Sequence, residues 1–207
     1  MRFKLLAASA SLLTLTALGN AQLLYDNSPP DQSGGNEMTE WLQAENFTLG
    51  ADATVGSITF WTWELTGTNN YDGSGQWWIF ADAGGSPGAE ITSGSGSPTR
   101  SLVGDLGNGF TEYMYEFDIA DTAVAGGVDY WLGLHLNTNF DTRWDMYWEN
   151  TSSGHSPTGH ESDRGTMDNW ADNGAEHAFQ MYGPVPEPST FIGLGVLGAL
   201  ALIRRRR

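Results

Sequence analysis

No cysteine occurs among the 207 residues, so the chain has neither a disulfide framework nor a thiolate metal site nor a cysteine nucleophile. Basic charge is almost as scarce: nine Lys and Arg stand against 25 Asp and Glu. Arg2 and Lys4 lie at one extremity and Arg204, Arg205, Arg206 and Arg207 at the other. Residues 22–184 therefore keep only Arg100, Arg143 and Arg164 against 24 acids, a net charge of −21 with no lysine. A surface so poor in cations excludes nucleic acid as a partner, because phosphate binding needs Lys and Arg. Two readings of the acidity remain, solubility in a cation-rich medium and binding of divalent cations. The interior also lacks any segment with a sustained helical period, and its length is that of one domain with a proper core.

The two extremities read as address labels. "MRFKLLAASASLLTLTALGNAQ" puts Arg2 and Lys4 before the apolar stretch Leu5 to Leu18 and ends in small residues. This is the order of a secretory signal peptide spanning 1–21, with cleavage between Ala21 and Gln22. At the other end, Phe191 to Ile203 gives 13 apolar residues, about 20 Å of helix against a hydrocarbon core of about 30 Å. Ser189, Thr190 and the arginine stems extend it, and the four terminal arginines act as a positive-inside stop. One transmembrane helix with its C-terminus in the cytoplasm is the expectation.

Val185-Pro186-Glu187-Pro188, the apolar run and Arg204 to Arg207, in that order over residues 185–207, resemble the PEP-CTERM sorting tails of Gram-negative bacteria, also labelled the C-terminal region of ice-binding proteins. The resemblance implies signal peptidase and an exosortase as partners during export. It also implies an inner-membrane-anchored precursor, and then a place at the cell surface or in the extracellular matrix. The two prolines fit such processing, since they hold the segment extended and deny it helical hydrogen bonds.

Between the labels, "SITFWTWEL", "QWWIFAD", "TEYMYEFDIA", "VDYWLGLHLNT", "TRWDMYWEN" and "EHAFQMYG" are rich in aromatic and β-branched residues, and Gly, Asn, Ser and Pro clusters separate several of them. Alternation predicts Tyr113, Tyr115, Phe117 and Ile119 on one face of a strand, with Glu112, Met114, Glu116 and Asp118 on the other. In the next strand Val128, Tyr130, Leu132, Leu134 and Leu136 are expected inward, and Asp129, Trp131 and His135 outward. Eight to ten such strands make an all-β, two-sheet antiparallel sandwich of jelly-roll type over 22–184. "GGNEMTEWLQAENFTL" at 34–49, the following "ITFW" and "FADAGGSPG" are similar to the jelly-roll ectodomains that PEP-CTERM proteins carry, which implies a non-catalytic surface module.

Several motifs touch chemistry. Gly84-Gly85-Ser86-Pro87-Gly88 fits G-x-S-x-G, but Pro87 has no N–H for an oxyanion hole, and Ser-Pro-Gly suits a type II turn. His155, His160, Glu161 and Asp163 bring metal-ligand types into one Gly- and Pro-bearing loop without helical spacing, which reads as a solvated loop. Asn137, Asn139, Asp141 and Asp145 alternate like the ligands of a calcium loop, though without its Gly and its Glu; Asn70 and Asp72 are second candidates. No cofactor is required by the sequence, and calcium is the one ion it suggests. Paired carboxylates are too plentiful among 24 acids to single out a glycosidase.

Nine tryptophans lie in 22–184, and most are expected in the core. Trp77 and Trp78 must point to opposite faces, however, and Trp131 falls on the polar side of its strand. Trp78 and Trp131 are thus the candidates for stacking on sugar rings, exposed or under loops. The reading that leads is a non-catalytic structural or adhesive sandwich. A carbohydrate-binding module recognising extracellular polysaccharide is the first alternative and a polysaccharide-acting hydrolase the second.

Overall fold

The structure, a computed structural model, describes residues 21–152, 154 and 156–185. Residues 1–20 of the expected signal peptide, the expected C-terminal helix, Pro186, Glu187, Pro188 and the arginines Arg204 to Arg207 lie outside the described residues. Gln22 is exposed, with its carbonyl accepting from the Gly183 N–H at 2.8 Å, and Val185 is exposed as well.

The described residues form strands β1 (Leu23–Asp26), β2 (Gly35–Glu37), β3 (Trp41–Thr48), β4 (Ala53–Leu65), β5 (Gly75–Asp82), β6 (Pro87–Gly96), β7 (Thr99–Asp105), β8 (Phe110–Val124), β9 (Asp129–Leu136), β10 (Met146–Glu149), β11 (His160–Asp163), β12 (Trp170–Asp172) and β13 (Phe179–Tyr182). They make a seven-stranded and a six-stranded sheet, with antiparallel pairing throughout. In the first sheet β2, β10, β4 and β8 lie side by side, and in the second β3, β9, β5 and β6. Those eight strands wind between the sheets in jelly-roll order. The others extend the sheets: β7 beside β8, β13 and β1 in line with β10 and β2, β11 and β12 beyond β3. The count exceeds the expected eight to ten because of these additions. Among the described residues, the strand pairings and both apolar clusters fall within the compact unit Ala21–Pro184.

Alternation places the core. Tyr115, Phe117 and Ile119 of β8 and Leu132, Leu134 and Leu136 of β9 are buried between the sheets with Phe60, Trp148 and Phe179. The Phe60 and Tyr115 rings stack across β4 and β8 at 5.1 Å. Burying each such side chain stabilises the fold by about 1.5–3 kcal/mol, which lets the domain dispense with disulfides.

Three inferences from alternation need correction. Val128, expected inward, precedes β9 and is exposed. Glu112, expected on the solvated face, is 3 % exposed because the loop between β1 and β2 reaches over it. Trp131 and His135 do face away from the main core, but they are buried. A second apolar cluster forms on the outer face of the second sheet from Leu42, Ala44, Trp78, Phe80 and Trp131, roofed by Phe140, Met167 and Trp170. Gly133 sits in the middle of it because a Cβ there would meet the Phe80 ring at 2.8 Å.

Candidate functional site

The residues proposed for calcium separate into two groups. Asn137, Asn70 and Asp72 meet in one turn, which hydrogen bonds close. Asn137 Oδ1 accepts from the Asp72 N–H at 2.8 Å and its Nδ2 donates to the Asn70 carbonyl at 2.9 Å. Asp72 Oδ1 accepts from the Ser74 N–H and hydroxyl, and its Oδ2 from those of Thr138. Burial works against the Asp72 charge, but these donors hold its carboxyl below the usual range. Asn139 and Asp141 are exposed and take no part in the turn. Asp145 instead accepts from Arg143 at 3.3 Å and from the Tyr147 hydroxyl at 2.8 Å. Among the described residues, no three His, Asp or Glu side chains are grouped to hold a metal ion.

The histidine-bearing loop does not converge either. His155 lies outside the described residues. His160 and Glu161 are neighbours on β11 and face opposite sides: His160 packs edge-on against Trp131 at 4.8 Å, while Glu161 accepts from Gln43 Nε2 at 3.2 Å. Asp163 is exposed beside Arg164. The G-x-S-x-G segment is a hairpin tip, with the turn centred on Gly84 and Gly85, three residues earlier than expected. Ala83 N–H donates to the Ser86 carbonyl, Gly84 and Gly85 take positive φ, and Pro87 opens β6.

Trp78 is 6 % exposed and Trp131 fully buried, so neither offers a ring face to a sugar. Trp131 Nε1 donates instead to Asp82 Oδ1 at 2.9 Å, beneath the roof of the second cluster.

The first sheet carries an aromatic outer face of its own, crossed by the loop between β1 and β2. Along β4, Phe60, Thr62 and Glu64 are buried, whereas Trp61 and Trp63 alternate with them and are half-buried on the outer side. Their cross-strand neighbours are Met114 and Glu112 on β8, and Tyr147 on β10 lies opposite Trp63. Phe110 packs on the Trp63 ring at 5.8 Å and edge-on to Tyr147 at 5.7 Å. The pattern W-x-W inside a strand was visible in "TFWTWEL"; it puts both indoles on one face, a stronger signal than the adjacent pair Trp77-Trp78, whose rings must diverge.

Across this face, two buried carboxyls from the strands on either side of β4 are tied to one loop residue. The exposed Gln32, held at φ 57°, donates its backbone N–H to Glu149 Oε1 at 3.2 Å and its side-chain Nε2 to Glu112 Oε2 at 3.1 Å. Glu149 is fully buried, and the Trp63 indole N–H lies against it as a donor that favours its charged form. Burial pushes Glu149 up to about 7, opposed by the Trp63 indole and the Gln32 amide and assisted by the charges of Glu112 and Asp31.

The other buried ionisable groups serve the frame. Glu64 accepts from the Tyr115 hydroxyl at 2.6 Å and pairs with Arg100, whose guanidinium lies 3.6 Å over the Tyr113 ring. At the opposite end, Glu45 Oε2 accepts from the backbone N–H of His177 and lies hydrogen-bonded to its ring Nδ1, both at 2.9 Å. Burial pushes Glu45 up to about 8 and His177 down to about 4. Both shifts favour a neutral pair. Asn36 Oδ1 fits that state: it accepts from Nε2, which leaves Nδ1 to take the hydrogen of a protonated Glu45.

Residues 184–207 match the PEP-CTERM protein-sorting motif. This identifies a sorting tail of the kind processed by exosortase, one that implies export and delivery to the cell envelope. The matched segment opens at Pro184, two residues after β13, so the sandwich directly precedes the tail in the chain. No curated protein matches the chain.

Proposed function

We propose that this chain is a cell-surface or extracellular-matrix protein whose sandwich is a non-catalytic structural or adhesive module. Its precursor is anchored in the inner membrane of a Gram-negative bacterium until an exosortase acts on the tail. The observation that carries the reading is the sorting motif following directly on the last strand of a cysteine-free sandwich.

The non-catalytic part draws support from the uses of the buried carboxyls. Glu37 accepts from Thr39 and Glu40, Glu45 from His177, and Glu64 from Arg100 and Tyr115, all of them bonds that hold the fold. Among the described residues, a depression of about 300 Å³ is lined by Tyr25, Asn46, Thr48 and Ser156, none of which is a carboxylate or histidine.

The test is mass spectrometry of the protein from its host, with and without the exosortase. Envelope and extracellular material should begin at Gln22 and lack Arg204 to Arg207, whereas cells without exosortase should retain the tail in the membrane. Extracellular protein with the four arginines intact would overturn the sorting reading.

A further inference from the structure

The sequence contains two Asn-Gly pairs, Asn108-Gly109 and Asn173-Gly174. We infer that Asn108 is a site of spontaneous covalent modification by water, converting to isoaspartate, whereas the fold protects Asn173 from the same reaction. Both pairs share the geometry that favours it. In each, the asparagine closes an Asx turn: Asn108 Oδ1 accepts from the Phe110 N–H at 3.2 Å, and Asn173 Oδ1 from the Ala175 N–H at 3.1 Å. Such a turn folds the carboxamide back over the following peptide and brings its carbon to the glycine nitrogen. Each glycine has positive φ, 91° at Gly109 and 74° at Gly174, and no side chain to obstruct the approach.

The two pairs differ in what holds the reacting groups. Hydroxide removes the proton of the glycine N–H, and the nitrogen attacks the asparagine Cγ. The Cγ–Nδ2 bond then breaks, and Nδ2 leaves as ammonia with a proton returned by water. Water reopens the resulting succinimide at either carbonyl, giving isoaspartate or aspartate. At Asn173 the Gly174 N–H is already spent on Asp172 Oδ1 at 2.7 Å, and Nδ2 donates to the Oε1 of the buried Gln43 at 2.9 Å. Nucleophile and leaving group must therefore both be freed first. Asn108 and Gly109 are exposed at the tip between β7 and β8, and among the described residues nothing accepts from the Gly109 N–H or from Asn108 Nδ2. The bonds that fix this tip run elsewhere: the Gly109 carbonyl accepts from the Thr66 N–H, and the Phe110 carbonyl from the Leu106 N–H. The Phe110 N–H also points at the oxygen that becomes negative in the attack. Conversion adds a negative charge to a domain of −21, and isoaspartate carries the backbone of the tip through the Asn108 Cβ.

The exported protein, purified from its host, would be incubated folded and in urea, at mildly acidic and mildly alkaline pH, and followed by peptide mass spectrometry with fragmentation that separates isoaspartate from aspartate. In urea the two pairs should convert at similar rates. In the folded protein Asn108 should keep a comparable rate, rising with pH, while Asn173 should be slower by roughly tenfold or more, as befits two hydrogen bonds to break. Asn108→Ser keeps an acceptor for the Phe110 N–H but has no amide to lose, and should abolish the fast conversion. Asp172→Ala frees the Gly174 N–H and should speed conversion at Asn173. Melting curves establish that each variant is folded; if Asp172→Ala is not, the wild-type comparison of folded with unfolded chain carries the test. Asn108 left intact in the folded protein while the unfolded chain converts overturns the inference. So does conversion of folded Asn173 as fast as Asn108, or a product at Asn108 that is aspartate alone, which would bypass the succinimide.

Discussion

Arg100 is one of only three cations in the exported domain, and the fold spends it inside. Its guanidinium pairs with Glu64, the side chains being 18 % and 4 % exposed. It also lies over Tyr113, and the carboxylate it neutralises receives the Tyr115 and Thr62 hydroxyls at 2.6 and 3.1 Å. Replacing Arg100 with Met keeps much of the stem but leaves Glu64 buried without its counter-charge. Breaking a buried pair in this way costs about 3–5 kcal/mol, a large share of the 5–15 kcal/mol typical of a domain. For a domain of this length that corresponds to a melting temperature lower by about 6–20 °C.

The pH dependence separates this account from a simple packing loss. Burial already pushes Glu64 up from the ordinary carboxyl range, and the Tyr115 hydroxyl and Arg100 pull it back. Without Arg100 it rises further. A carboxyl raised in the folded state favours folding below its unfolded pKa, and that contribution is lost as pH rises through the folded pKa. The Arg100→Met deficit should therefore be greatest near pH 8 and shrink towards pH 5. The double variant Arg100→Met/Glu64→Gln, which removes the charge and keeps the acceptor for Tyr115, should recover most of the loss. Urea unfolding at both pH values measures it. A deficit below about 1 kcal/mol at pH 8, the worth of an exposed pair, would refute the reasoning, as would one independent of pH.

Glu149 is held up at about 7 by burial and its acidic neighbours, so its contribution is fully present below about pH 4.5 and lost as pH rises through about 7. Glu149→Gln should flatten the fall in stability between pH 5 and 8, by up to about 3 kcal/mol, and an unchanged slope in urea melts would show that Glu149 keeps an ordinary pKa. In the turn around Asp72, four donors share its two oxygens. Asp72→Ala should cost about 1–2 kcal/mol, and exchanging sodium for calcium at constant ionic strength should leave the wild-type melting temperature in place. A calcium-specific rise would show that these hydrogen bonds yield to an ion.

What the sequence made legible and what it hid divide along a physical line. The sorting tail is a local, ordered string of proline, apolar and arginine segments, and it can be read without any fold. The sandwich follows from period-2 alternation in "TEYMYEFDI" and "VDYWLGLHL", since the pleat alone decides which side Tyr115 or Leu132 takes. Alternation assigns a face, however, and not its cover. Trp131 and His135 are on the outer face as expected, yet Phe140 of the following loop stacks on His135 at 3.6 Å and Trp170 of β12, distant in sequence, packs on Phe80 at 5.3 Å. Glu112 disappears beneath Gln32, 80 residues away along the chain, for the same reason. The pairings of Glu45 with His177 and of Glu64 with Arg100 span 132 and 36 residues, and composition treats all four only as charge on a surface. Surface and core were therefore confused where a long-range loop or partner supplies the burial.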